Sequence, residues 1–126
     1  MNRLWATKDI AASAETVWSL LVNTDRWPDW GPTVRNAELD AARLCLGGRG
    51  RVQTAVGLWL PFEITRFDEG RAWSWKVGGV AATDHEVAPV DDQRCRLGFG
   101  VPWVAAPYLG ICRVALRRLD RLARTG

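Results

Sequence analysis

Residues 105–124 read AAPYLGICRVALRRLDRLAR, and this stretch predicts a long amphipathic helix. Pro107 suits the first turn of a helix, because the ring presets φ and the missing N–H has no partner to lose there. Apolar side chains then recur at spacings of three and four residues, at Tyr108, Ile111, Cys112, Ala115, Leu119 and Leu122. An apolar face of this length needs a broad surface to cover it, and the rest of the chain offers only a sheet.

Between residues 34 and 102 the chain changes to short apolar stretches separated by turn residues, a pattern typical of β-strands. The predicted strands are VRNAEL (34–39), RVQTAV (51–56), LPFEITRF (60–67), RAWSWKV (71–77), VAATDHEVAPV (80–90) and QRCRLGFGV (93–101). Each connection is short, so consecutive strands should be antiparallel neighbours in a meander. The pair Gly78-Gly79 predicts a two-residue hairpin turn, since both of its positions need positive φ.

Before the sheet, residues 3–10 (RLWATKDI) are compatible with a strand. Ser13 is a good N-cap for a helix over AETVWSLLVN, residues 14–23. Asp25 can cap a second short turn, and Pro28 disfavours one long helix through this segment. The prediction is an α+β fold of one domain, residues 1–126: a curved antiparallel sheet of about six or seven strands wrapped around the long C-terminal helix. Such a sheet tends to leave an internal hollow.

Composition excludes several classes of protein. The chain has 126 residues, 48% of them hydrophobic and 25% charged, which is typical of one globular domain. No apolar run approaches the roughly 18 residues of a membrane span, so we expect no integral membrane association. Residues 1–13 (MNRLWATKDIAAS) contain charged residues where a signal peptide is continuously apolar, which predicts a cytoplasmic location.

Cysteines and charges give little sign of metal or nucleic-acid binding. Cys45, Cys95 and Cys112 are scattered without a C-x-x-C pair, so reduced thiols are expected. Asp84, His85 and Glu86 alternate faces in a strand and cannot converge on one metal ion. The net charge is only +3, and the arginines near residue 120 lack the interleaved aromatic residues of a base-stacking surface. We expect no metal, no cofactor and no nucleic-acid partner.

Four segments carry a resemblance to a known family. They are IAASAETVWSLLVNTDRWPDW (Ile10–Trp30), PFEITRFDEGRAWSWKV (Pro61–Val77), ATDHEV (Ala82–Val87) and APYLGICRVALRRL (106–119). In this order they resemble the START-like (SRPBCC) superfamily, in its polyketide cyclase/dehydrase and lipid-transport branch. The resemblance implies the helix-grip fold, in which the sheet grips the C-terminal helix around an apolar cavity.

Strand alternation and the helix face together predict which side chains line that cavity. The candidate ligand-binding residues are Trp30, Val52, Thr54, Phe62, Ile64, Trp73, Trp75, His85, Leu97, Phe99, Tyr108, Ile111, Cys112 and Ala115. Which face of residues 61–67 points inward stays open. We favour Phe62 and Ile64, because an inward Glu63 would be costly unless it were paired. For Trp27 and Trp30, core packing and direct ligand contact both remain open.

Two candidates for catalysis follow from residue chemistry. His85 is the only histidine, and histidine titrates near neutral pH, so inside a pocket it could act as a general acid or base. A lone histidine is more often a hydrogen-bonding group. Tyr108 is the only tyrosine, and its hydroxyl suits either a ligand carbonyl or a buried backbone group.

The functional prediction is binding or transport of a hydrophobic small molecule, such as a lipid, a polyketide or an aromatic compound, by a monomer or homodimer. The alternative is a polyketide cyclase/dehydrase-like enzyme that uses the same cavity, with His85 and Tyr108 as proton donors. A third hypothesis is a protein-interaction module that uses the basic helix. The sequence does not name the ligand.

Overall fold

The structure is a computed structural model that describes residues 2–125. Its elements follow the predicted order of one strand, two short helices, six strands and a long helix. They are β1 (Arg3–Ile10), α1 (Ala14–Val22), α2 (Trp27–Trp30), β2 (Val34–Leu39), β3 (Arg49–Thr54), β4 (Trp59–Asp68), β5 (Ala72–Val77), β6 (Val80–Asp91), β7 (Arg94–Pro102) and α3 (Leu109–Thr125). Two 3₁₀ segments, Thr24–Arg26 and Trp103–Tyr108, precede α2 and α3.

The seven strands form one antiparallel sheet in the order β1-β7-β6-β5-β4-β3-β2. Strands β2 to β7 are therefore a meander, and β1 joins it beside the last strand. The β5–β6 turn uses Gly78 and Gly79 with φ angles of 60° and 81°, which confirms the predicted two-residue hairpin. Helix α3 packs against β1 and β7, so the helix-grip arrangement is confirmed.

Helix α3 begins later than the sequence predicted. Pro107 and Tyr108 belong to the preceding 3₁₀ segment, and Ala105 there has a non-helical conformation with φ −104° and ψ 26°. Pro107 lacks an N–H for an upstream carbonyl, and the regular helix starts only at Leu109. The buried face of α3 consists of Cys112, Ala115, Leu116, Leu119 and Ala123.

The two tryptophans of α2 donate hydrogen bonds to the C-terminal end of α1, and their rings fill the core. Trp27 and Trp30 are only 2% and 6% exposed. Their indole N–H groups donate to the carbonyls of Leu21 and Leu20, each at 2.9 Å. The last carbonyls of a helix have no partner within it, so these two bonds satisfy the end of α1 while the rings pack inward.

Strand β4 settles which face of residues 61–67 points inward. Phe62 and Ile64 are 3% and 1% exposed and belong to the core, as favoured. A register shift between Ile64 and Arg66 then interrupts the alternation. The next aromatic residue, Phe67, consequently packs its ring against Trp18 of α1, with centroids 5.8 Å apart.

No helix within residues 2–125 is both long enough and apolar enough to cross a bilayer.

A candidate ligand cavity between the sheet and the C-terminal helix

A cavity of about 280 Å³ lies between α2, the inner face of the sheet and the start of α3. Its wall is almost wholly apolar, and among the described residues none that line it is Asp, Glu, Lys or Arg. Eleven of the fourteen predicted ligand-binding residues lie in this wall. They are Trp30, Val52, Thr54, Trp73, Trp75, His85, Phe99, Tyr108, Ile111, Cys112 and Ala115.

The other three predicted residues, Phe62, Ile64 and Leu97, are buried but do not line the cavity. The ring of Phe62 packs against Trp27 and Trp75, with centroids 5.5 Å apart in both pairs. Alternation along a strand identifies which side chains face inward, but not which of them line a cavity and which are packed against other side chains. These three side chains fill the packed part of the interior.

Sequence reasoning missed part of the wall. The loop between α2 and β2 contributes Gly31, Pro32 and Thr33, and no periodicity marks residues in a loop. Thr83 also lines the cavity. It shares the inner face of β6 with His85, so alternation could have identified it.

Rings on neighbouring strands form an aromatic cluster around His85. Trp73, His85 and Phe99 lie directly opposite one another on β5, β6 and β7. The imidazole stacks on Trp73 with centroids 3.8 Å apart, and the edge of Phe99 approaches at 4.9 Å. Trp27 stacks on Trp73 at 5.2 Å with an interplanar angle of 11°. Cross-strand register thus places the histidine inside an aromatic wall.

Both nitrogens of His85 are occupied by hydrogen bonds. Nδ1 lies 3.1 Å from the carbonyl oxygen of Trp73, and because a carbonyl only accepts, Nδ1 carries the hydrogen. Nε2 lies 3.0 Å from the hydroxyl of Thr83, which also accepts the indole N–H of Trp75 at 2.9 Å. The three side chains form a continuous chain of hydrogen bonds from Trp75 to His85.

The histidine is uncharged at neutral pH. Burial lowers the pKa of His85 to about 3, from an ordinary value of 6.5, because the apolar surroundings disfavour the imidazolium ion. Its remaining lone pair, on Nε2, points to Thr83. A neutral imidazole with both nitrogens in hydrogen bonds holds Thr83 and the stacked rings in place. Near pH 7 its only N–H proton is the one on Nδ1, which is hydrogen-bonded to the carbonyl oxygen of Trp73.

Sequence comparison assigns the family. A family model described as polyketide cyclase/dehydrase and lipid transport matches residues 1–124. The chain belongs to this family. No curated protein matches its sequence.

The fold of this family member recurs in solved structures. A START superfamily protein from Mycobacterium smegmatis has 14% identity and a TM-score of 0.78, over 98% of this chain and 97% of that one. The Zhui aromatase/cyclase from Streptomyces sp. R1128 has 15% identity and a TM-score of 0.71, over 98% and 93%. The di-domain ARO/CYC BexL from the BE-7585A biosynthetic pathway has 14% identity and a TM-score of 0.74, over 96% and 46%. Identities this low show the fold alone.

Tyr108 lies at the mouth of the cavity. Its hydroxyl lies 2.9 Å from that of Thr33, so a hydrogen bond joins the segment before α3 to the loop between α2 and β2. The residue is 37% exposed, and within the protein its hydroxyl bonds to a side chain and not to a buried backbone group. Burial of the hydroxyl raises the pKa of Tyr108, so the group stays protonated at neutral pH.

The thiol of Cys112, in the cavity wall, is protonated at neutral pH. Burial raises the pKa of the Cys112 thiol to about 11, which leaves the wall without a thiolate. In residues 2–125, no three His, Cys, Asp or Glu side chains gather in a way that could hold a metal ion. The indole N–H of Trp73 is, in the same range, the one buried side-chain polar group without a hydrogen-bond partner.

Proposed function

We propose that the protein binds, and carries, an uncharged apolar small molecule in this cavity. The observation on which the proposal rests is a cavity wall made mostly of aromatic and aliphatic side chains, without a charged group. Removing apolar surface from water stabilises a complex by about 25 cal/mol per Å², less the cost of ordering both partners. A charged ligand would lose its hydration there and gain no opposite charge.

The volume restricts the size of the ligand. An apolar cavity of about 150 Å³ accommodates a single benzene ring. The cavity here, at about 280 Å³, is just below the usual range for ligand sites, about 300–1,000 Å³. This supports a molecule of one or two rings over a long acyl chain or a tetracyclic polyketide.

Exposed apolar side chains next to the wall support the same proposal. Val56 and Leu58 lie beyond the cavity-lining Thr54, and both are more than half exposed, at 88% and 57%. Trp103 and Val104 follow the lining residue Pro102 and are 60% and 71% exposed. An apolar ligand that approaches this end of the sheet contacts apolar surface before it enters.

An enzyme of the cyclase/dehydrase type is the second candidate, and the protonated Tyr108 hydroxyl at the mouth is the observation that favours it. Its test is incubation with a small poly-β-ketone surrogate. Ring closure and water loss that fall sharply in Tyr108→Phe support the enzyme, whereas recovery of the unchanged compound from a tight complex supports the carrier.

We expect Ala115→Phe to weaken binding of 2-naphthol at least tenfold, measured by isothermal titration calorimetry. Ala115 is 3% exposed and lies in the wall, so a phenyl group there occupies the space of the ligand. The matched control is Ala42→Phe, the same change at an exposed position outside the wall, which should bind as the wild type does.

Two results contradict the proposal. One is wild-type protein that binds neither 2-naphthol nor naphthalene. The other is unchanged affinity in Ala115→Phe, with a melting temperature that shows the variant to be folded. Native mass spectrometry of freshly purified protein gives an independent check, because a bound apolar compound of one or two rings identifies the ligand class directly.

A further inference from the structure

The polar groups of the cavity wall differ in what they can offer to a guest. At the mouth, the hydroxyls of Thr33 and Tyr108 bond to each other, and either of them can be the donor. Thr54 accepts the backbone N–H of Leu58 at 3.2 Å, so its own hydrogen is free. These groups can rotate to meet a donor or an acceptor, and they select neither.

Thr83 is different, because its neighbours determine the direction of its hydroxyl hydrogen. The carbonyl of Trp73 requires the hydrogen of His85 on Nδ1, which leaves Nε2 as an acceptor. The hydroxyl of Thr83 must then donate to Nε2. The indole N–H of Trp75 donates to the same oxygen, so one of its two lone pairs is used.

One lone pair remains on the Thr83 oxygen, and the residue lies in the cavity wall at 8% exposure. The hydroxyl cannot turn to become a donor without leaving His85 Nε2 buried and unpaired, which carries the penalty of an unsatisfied polar group. Towards a guest, Thr83 is therefore a fixed acceptor.

We propose that Thr83 is the specificity-determining residue of the cavity, and that its Oγ1 accepts a hydrogen bond from a ring hydroxyl or N–H of the ligand. This inference rests on the proposed function, since it requires a guest in the cavity. The ligand class is then a neutral phenol-like compound of one or two rings. A compound of equal size that offers only carbonyl acceptors gains no hydrogen bond from Thr83. In cyclisation chemistry, this matches an aromatic product, which carries hydroxyls, better than the keto form of an open poly-β-ketone.

The test compares two ligands of nearly equal shape, 2-naphthol and 2-fluoronaphthalene, of which only the first has a donor. By isothermal titration calorimetry, the wild type should bind 2-naphthol about three- to tenfold more tightly, the effect of one net hydrogen bond. If the wall offered no acceptor, 2-fluoronaphthalene would bind more tightly than 2-naphthol, because the hydroxyl of 2-naphthol would lose its hydration and gain no partner.

Substitutions of Thr83 test whether this residue causes the preference for 2-naphthol. Thr83→Val should lose or reverse the preference, and Thr83→Ser, which retains a hydroxyl, should keep it. The Val variant leaves Trp75 and His85 without their partner, so its melting temperature is measured alongside. If it does not fold, the same comparison on Thr54→Val and Tyr108→Phe decides, because a preference lost in either variant would assign the acceptor to that residue and overturn the role of Thr83.

The outcomes separate this inference from the function on which it rests. Equal or tighter binding of 2-fluoronaphthalene by the wild type overturns the role of Thr83 and leaves the cavity as a general apolar site. A preference that persists in folded Thr83→Val overturns it as well. Failure of both compounds to bind overturns the proposed function together with the inference.

Discussion

Trp27→Ala is expected to lower the free energy of unfolding by about 3–5 kcal/mol, the usual cost of removing a buried large aromatic side chain. The ring is 2% exposed, stacks on Trp73 and packs against Phe62 and Trp75. The substitution also leaves the carbonyl of Leu21 at the end of α1 without its donor. Urea denaturation at pH 7 measures the change.

Trp103→Ala is the matched control, since it removes the same side chain from a position that is 60% exposed. Its effect should stay within about 0.5 kcal/mol, as is usual for surface substitutions. Trp27→Phe should fall between the two, because it keeps an aromatic ring in the cluster and loses the indole N–H. A loss below about 1 kcal/mol in Trp27→Ala would show that the ring is not part of the packed core.

Acid should destabilise the protein through its one histidine. In the folded state the pKa of His85 is about 3, and its ordinary value of 6.5 applies to the unfolded chain. Between these pH values the unfolded state binds a proton that the folded state does not. The neutral imidazole therefore contributes fully to the free energy of unfolding above about pH 6.5. This contribution is lost as the pH falls towards 3, and the loss is about 3 kcal/mol between pH 7 and pH 4.

His85→Gln isolates this effect, because the side chain is polar and does not titrate. Carboxylates such as Asp9, whose pKa is lowered by its hydrogen bond and ion pair with Arg96, contribute to the acid response of both proteins and cancel in the comparison. The difference between wild type and variant in the loss of stability from pH 7 to pH 4 should approach the same 3 kcal/mol. Parallel pH profiles would contradict the buried neutral imidazole, as would an NMR titration of the ring with a midpoint near 6.5.

Features that depend on neighbours along the chain could be predicted from the sequence. Ser13 caps α1 by accepting the N–H of Thr16 at 3.1 Å, as its hydroxyl and position predicted. The Gly78-Gly79 turn and the order of the elements likewise follow from local periodicity and turn chemistry. Periodicity left the inward face of residues 61–67 open, and the cost of burying Glu63 was what favoured Phe62 and Ile64. These features were enough to identify the fold, and with it the presence of an inner face.

The cavity itself depends on partners far apart in the sequence. The Tyr108–Thr33 bond spans 75 positions, and the acceptor of Trp27 lies on another helix. Register across β5 and β6, with its local shift after Ser74, decides that Thr83 of β6 reaches Trp75 of β5.

By itself, the sequence determined the sides of the strands and helices that face inward, because a side chain's direction repeats with the local backbone period. The tertiary structure alone decided which part of the interior stays open as a cavity, and whether the side chain of His85 is charged. Both depend on how large rings from distant segments fill a shared volume. Burial by those rings, which no local pattern encodes, keeps the His85 imidazole neutral, so that its Nε2 accepts the hydroxyl hydrogen of Thr83.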